Sequence, residues 1–156
     1  MLEKQKISVL MSVYIKENPT FLRDAIKSIQ NQTLKPSELV LVEDGPLTPE
    51  LYQVLDQLEA ESDIPVKRYP LEQNQGLGLA LRYGVLQCQY DIIARMDTDD
   101  IAVPDRFEKQ VQLMEKDKLD LLGGHIAEFI DNPDEIVSYR RVPTQHADIV
   151  VYQRMR

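Results

Sequence analysis

Apolar residues come in short runs of four to seven along this chain, and amphipathic stretches separate them. Ile7–Val13 (Ile-Ser-Val-Leu-Met-Ser-Val) is short, apolar and rich in β-branched residues, which predicts a first strand. Asn18-Pro19 then marks a helix start, with Asn as N-cap and Pro at the first helical position. Phe21, Leu22, Ala25, Ile26 and Ile29 follow at helical spacing, and the helix is expected to end near Asn31–Pro36. Glu38–Val42 predicts a second strand, closed by the turn signals Asp44-Gly45 and Gly45-Pro46.

Thr48-Pro49-Glu50 opens a second helix that places Leu51, Val54, Leu55 and Leu58 on one face. Pro65–Tyr69 predicts a third strand, Gly76–Gln87 a third helix and Asp91–Met96 a fourth strand. Pro104–Lys116 predicts a fourth helix, with Phe107, Val111 and Met114 at i, i+4 and i+7. A fifth strand is expected over Leu119–Ile126, and Thr144–Arg156 has a helical pattern. Strands and helices alternate at short intervals, as in an α/β fold whose mostly parallel sheet is connected by helical crossovers.

The 156 residues fit one domain of ordinary size. The 26 acidic residues outnumber the 18 basic ones, giving a net charge of -8. With no basic stripe, nucleic acid is excluded as a partner. The single cysteine, Cys88, forms neither an internal disulfide nor a thiolate zinc site alone, and reads as a packed or half-buried thiol. Met1–Lys6 is charged and lacks the apolar core of a signal peptide. No apolar run reaches the roughly 18–20 residues that cross a bilayer. The expected location is therefore cytoplasmic, with peripheral association at the inner face of the membrane left open.

Chemistry concentrates where the predicted strands stop: at Ser12-Val13-Tyr14, at Glu43-Asp44 and at Asp97-Thr98-Asp99. In a parallel sheet these points share one edge, the carboxyl edge at which open α/β sheets bind ligands. Asp97, Asp99 and Asp100 are hard oxygen donors suited to Mg2+ or Mn2+, ions that take one or two carboxylates and complete their shell with phosphate oxygens and water. The alternative is that these aspartates cap the next helix and stay solvated. Asp44 is either an acceptor for a base or ribose or a turn residue before Gly45. Tyr14 and Glu17 form either a nucleotide loop or a polar entry to the helix. Arg95, Arg106 and Lys109 flank the aspartates and could help bind a pyrophosphate, but Arg106 and Lys109 fit a solvated helix face equally well. Gly76-Leu77-Gly78 has Leu81 where a dinucleotide fingerprint needs a third Gly or Ala, and a polar loop precedes it in place of a strand. No Gly-x-x-x-x-Gly-Lys-Ser/Thr loop occurs. His125 and His146 are isolated, and a strand histidine such as His125 is expected to be packed and hydrogen-bonded.

Four stretches together resemble the nucleotide-binding half of the family 2 inverting glycosyltransferases. They are Ile7–Thr33, Leu39–Gly45 (Leu-Val-Leu-Val-Glu-Asp-Gly), Asn74–Gly84 and Ile93–Gln110 (Ile-Ala-Arg-Met-Asp-Thr-Asp-Asp onward). The resemblance implies a GT-A, Rossmann-like three-layer sandwich and transfer of a sugar from a UDP-sugar donor to a saccharide or lipid-linked acceptor in bacterial cell-surface polysaccharide synthesis. It implies nucleotide contacts at Ser12, Val13, Tyr14, Glu17, Asp44, Asn74, Gly76, Arg95 and Asp97. Asp44 would meet the uracil, and Asp97 and Asp99 would hold the metal, Asp99 most directly. Glu43, Arg82 and Tyr83 depart from the family's usual residues. Glu128, Asp131 and Glu135 come too early to match the family's catalytic base, so the base is expected beyond Arg156 and the chain is expected to be a donor-binding domain without its acceptor half. Two rivals are a sugar-phosphate nucleotidylyltransferase, which would need a glycine-rich basic loop after the first strand, and a non-catalytic nucleotide-binding or interaction domain.

Overall fold

The computed structural model describes residues 5–154, which gather into two compact units that divide between Leu113 and Met114. In the first unit the chain runs β1 (Ile7–Val13), α1 (Pro19–Gln30), β2 (Glu38–Glu43), α2 (Pro49–Glu61), β3 (Val66–Pro70), α3 (Leu77–Val85) and β4 (Ile92–Arg95), and α4 (Arg106–Asp117) begins within it. The helix starts follow local chemistry. The Asn18 side chain accepts a hydrogen bond from Thr20 N at 2.8 Å, and Thr48 Oγ1 accepts one from Leu51 N at 3.3 Å, each satisfying a helix-end donor.

All four strands are parallel, in the order β3-β2-β1-β4. The first two crossovers step away from β1 in one direction, and the third carries the chain back across the sheet to β1's other side. The order therefore reverses between β1 and β4, which is a topological switch point. The pleat divides the core in two. Val9, Met11, Val13, Leu39 and Leu41 pack with Leu22, Ile26, Ile29, Leu51 and Leu55 of α1 and α2 and with Phe107 and Val111 of α4. Leu10, Val40 and Val42 pack with Ala80 of α3 on the opposite face. The result is three layers, helices–sheet–helix. Gly84 lets α3 lie close: a Cβ there would come within 2.4 Å of Leu10 Cδ1.

At the amino edge of the sheet, away from the strand ends, Glu38 is 1% exposed. Ser8 Oγ donates to its Oε1 at 2.6 Å, Gln89 N donates to the same oxygen at 2.6 Å, and Lys67 Nζ donates to Oε2 at 2.7 Å. Burial alone would raise the Glu38 carboxyl, but the Gln89 amide, the Lys67 ammonium and the Ser8 hydroxyl together hold it below the ordinary glutamate value of 4.5. A depressed carboxylate adds stability above its unfolded pKa, and that stability is lost as pH falls through the folded value. Glu38→Gln is therefore expected to flatten the loss of denaturation midpoint below about pH 4.5. A series of urea titrations from neutral to acid pH checks it.

The second unit contains an antiparallel pair, β5 (Ile126–Glu128) with β6 (Ser138–Arg140), and helix α5 (His146–Arg154). Ser138 and Arg140 both bond Glu128 across the pair. The expected strand over Leu119–Ile126 does not form. Asp120 and the Gly123-Gly124 pair interrupt it, and strand structure begins only at Ile126. His125 precedes this strand and is exposed, and its Nδ1 accepts a bond from Val142 N at 3.2 Å. Met155 and Arg156, the end of the expected C-terminal helix, lie outside the described residues. Among the described residues no helix is long and apolar enough to cross a membrane.

Candidate functional site

Each candidate group reaches the carboxyl edge of the sheet because its strand ends there. β1 gives way to the loop Tyr14–Asn18, closed by a hydrogen bond from Glu17 N to Tyr14 O at 3.1 Å. β4 gives way to Asp97–Asp100, after Met96 N makes a last strand bond to Leu10 O at 3.0 Å. These two loops flank the switch point. Tyr14 is exposed, Ser12 and Glu17 are half-buried, and Val13 is buried with its carbonyl accepting Asp44 N at 2.8 Å.

Electrostatics ties the two loops together. Burial chiefly pushes the Glu17 carboxyl above its ordinary value. A hydrogen bond with the Thr98 side chain opposes this, and the charges of Asp99 and Asp97 add to it. Asp100 is raised by partial burial and then by Asp97 and Asp99, against Arg95 and Arg106. Asp97 and Asp99 thus lie near enough to repel both Glu17 and Asp100, and Asp97 is ion-paired with Arg95. Among the described residues no three histidine, cysteine or acidic side chains form a ready-made metal cage. Mg2+ and Mn2+ do not need one, since one or two carboxylates with phosphate oxygens and water complete their shell.

Arg106 and Lys109 separate. Lys109 lies on a solvated face, paired with Asp105 at 2.6 Å. Arg106 turns inward: Nη2 donates to Arg95 O at 2.9 Å, Nη1 to Met96 Sδ at 3.1 Å and Nε to Gln110 Oε1 at 3.1 Å. Burial lowers its pKa, while Asp100 works in the other direction. It braces the end of β4 rather than reaching into solvent.

Glu43 and Asp44 are adjacent in sequence but point to opposite faces. Glu43 turns to the α2 side, where Arg68 Nε donates to it at 2.6 Å while Arg68 Nη1 meets Asp56 on α2. Asp44 turns to the α3 side. Its two carboxylate oxygens accept Gln75 N at 2.7 Å and Gly76 N at 3.0 Å. It therefore caps α3, whose own N-cap residue is a glycine without a side chain to offer. Asn74 Nδ2 donates to Asp44 O at 3.2 Å, so Asp44, Asn74 and Gly76 form one unit. Each Asp44 oxygen keeps a further lone pair for a ligand donor. Tyr83 packs edge-on to Tyr69, with ring centroids 6.1 Å apart.

Sequence reasoning passed over Gln32. Its side chain is 1% exposed and grips the segment that follows the aspartates. Nε2 donates to Ser28 O at 3.1 Å and to Val103 O at 2.8 Å, and Oε1 accepts Phe107 N at 3.1 Å. A polar residue at a helix end gives no local sign of such a role, and only its place inside the Ile7–Thr33 stretch singles it out.

A parallel sheet reversing between β1 and β4, with acidic loops at the switch point, defines a Rossmann-like α/β domain, and its likeness to solved glycosyltransferases makes the fold GT-A. The profile of "Glycosyl transferase family 2" matches residues 8–155, and the chain belongs to that family. An uncharacterized glycosyltransferase of Haemophilus influenzae is 51% identical over 97% of this chain and 56% of its own length. The UDP-Gal:alpha-D-GlcNAc-diphosphoundecaprenol beta-1,3-galactosyltransferase of Escherichia coli is 38% identical over 97% of this chain and 54% of its own. The chain thus spans about half the length of these relatives. Among solved structures, mannosyltransferase PcManGT from Pyrobaculum calidifontis, in complex with GDP-Man and Mn2+, superposes with a TM-score of 0.63. It is 16% identical, over 72% of this chain and 33% of its own, which shows a shared fold.

Proposed function

We propose that this chain is the donor-binding region of an inverting glycosyltransferase that takes its sugar from a UDP-sugar and serves bacterial cell-surface polysaccharide synthesis. The observation that carries the reading is the convergence of Asp97, Asp99, Asp100 and Glu17 at the switch point, one strand away from Asp44. This much negative charge repels a diphosphate unless a divalent cation stands between them. The donor set fits such a cation: the oxygens are hard, and Asp97 and Asp99 repel the carboxylates of Glu17 and Asp100. Asp99 and Asp97 would hold Mn2+ or Mg2+, and the ion, when bound, supplies positive charge against the diphosphate leaving group.

The chain's own groups bind and orient. Asp44 fixes the start of α3 and offers acceptors to a uracil. Tyr14 and Glu17 wall the nucleotide on the β1 side, with Ser12 and Val13 at the strand end beneath. Asn74 and Gly76 border it from the α3 side. Arg95 and Asp97 complete the edge over the diphosphate. The acceptor, a saccharide or a lipid-linked sugar, loses its proton to a base supplied from outside these residues. The name of the Escherichia coli relative, with its UDP-sugar and undecaprenol-linked acceptor, supports this donor and acceptor class. The Mn2+ in the Pyrobaculum structure supports the metal.

Calorimetric titration of the 156-residue chain with UDP and with GDP, each with and without Mn2+, tests the reading. UDP is expected to bind about tenfold or more tightly with Mn2+ than without it, and more tightly than GDP. A folded sample showing no metal-dependent UDP binding would sink the proposal.

A further inference from the structure

We infer that Gln32 is a positioning residue for the Asp97–Asp100 loop, acting from the end of α1 through the segment 102–107. The loop begins at Met96, whose amide is the last to bond β1. Within the loop a turn closes over Thr98–Asp99 and the buried Thr98 side chain meets Glu17, while the two ends of the segment set where this turn sits on the sheet edge.

The near end is fixed by the sheet and by Arg106, which bonds Arg95 O. The far end is held by α1's last turn and the residues after it. Ser28 Oγ accepts Ala102 N at 3.0 Å while donating to Ala25 O at 2.7 Å. Gln32 spans Val103 O and Phe107 N with one amide group. Thr33 N donates to Pro104 O at 2.8 Å, and Thr33 Oγ1 donates to Glu108 Oε2 at 2.8 Å.

Gln32 is the centre of this grip. Both of its N–H groups and its carbonyl are satisfied inside the protein, and its burial leaves no water to replace them. No other residue type supplies two donors and an acceptor in a plane at this length: Glu loses both donors, and Leu loses all three groups. Freed of this hold, the aspartates would still be present but would sample many arrangements, and a cation needs its ligands placed together.

The ligand part of the test rests on the donor-binding reading; the motional part does not. In 15N relaxation of the 156-residue chain, the amides of Asp97–Asp100 are expected to be ordered in the wild type, with order parameters near about 0.85, and to fall below about 0.6 in Gln32→Leu. In calorimetry, Gln32→Leu is expected to lower the Mn2+-dependent gain in UDP affinity about tenfold while leaving metal-free UDP binding unchanged. Val54→Ala, a cavity on α2, is the control for a general loss of packing and is expected to change neither readout. Gln32→Glu, which keeps an acceptor for Phe107 N and loses both donors, is a second arm with the same direction of change should Gln32→Leu fail to fold. Unchanged order parameters at Asp97–Asp100 in Gln32→Leu, or in Gln32→Glu if that arm is used, overturn the inference, as does a loop already mobile in the wild type. A wild type without Mn2+-dependent UDP binding overturns the donor reading instead and leaves the relaxation data to decide the positioning role.

Discussion

Replacing Asp97 and Asp99 together by alanine is expected to remove the Mn2+-dependent part of UDP binding, a loss of about tenfold or more in affinity, while the chain stays folded. The two aspartates contribute little to stability. Asp97 pairs with a half-exposed Arg95, and such surface pairs are worth about 0–1 kcal/mol. Asp97 and Asp99 also raise the carboxyls of Glu17 and Asp100, so removing them relieves repulsion within the cluster. Binding and stability should therefore separate. Calorimetry with UDP and Mn2+, beside thermal unfolding of the same sample, reads both. If the aspartates were helix caps instead, the double variant would lose about 0.5–2 kcal/mol for each cap and leave UDP binding as it was.

The second large effect lies at Gly45, where substitution by alanine is expected to cost about 3 kcal/mol or more. Gly45 has φ +84°, a conformation that L residues rarely adopt. A Cβ there would lie 2.6 Å from Asn74 N and 3.0 Å from Gln73 C. Both are backbone atoms, so no side-chain rotation makes room. The loop must move, and with it Gln75 and Gly76, whose amides bind the Asp44 carboxylate. For a domain of this size the change corresponds to a fall in Tm of roughly 6–12 °C. Thermal unfolding checks it, and Gly78→Ala provides the contrast. No heavy atom outside its immediate chain neighbourhood lies within 4 Å of a Cβ at Gly78, and alanine favours a helix.

Much of the framework was legible locally. β1 occupies the residues expected of it, and the N-caps at Asn18 and Thr48 begin α1 and α2 where Pro19 and Pro49 indicated. β2, β3 and β4 fall within a residue or so of their apolar runs. These elements are set by short-range effects: β-branched content, a fixed proline φ and a side chain capping its own helix. The second unit was less legible. β6, at Ser138–Arg140, has no apolar run and exists only through its pairing with β5.

The candidate site divides in the same way. That these strand ends meet at one edge was readable, because acidic residues after apolar runs mark strand ends and parallel strands share an edge. Which group faces which was not. Glu43 and Asp44 look alike in sequence, yet the pleat turns one to Arg68 and the other to the amides of Gln75 and Gly76. Arg106 and Lys109 fitted a pyrophosphate contact and a solvated helix face equally well in sequence, but packing brings only Arg106 against the end of β4. Gln32 carried no local signal, since its partners lie 71 and 75 residues away. By itself the sequence determined an α/β chain with acidic strand ends, because propensity, caps and charge act over a few residues. The tertiary structure decided the strand order, the switch point and the hydrogen-bond partners around it. Those depend on which distant segments pack together, and burial then requires every polar group caught between them to find a partner.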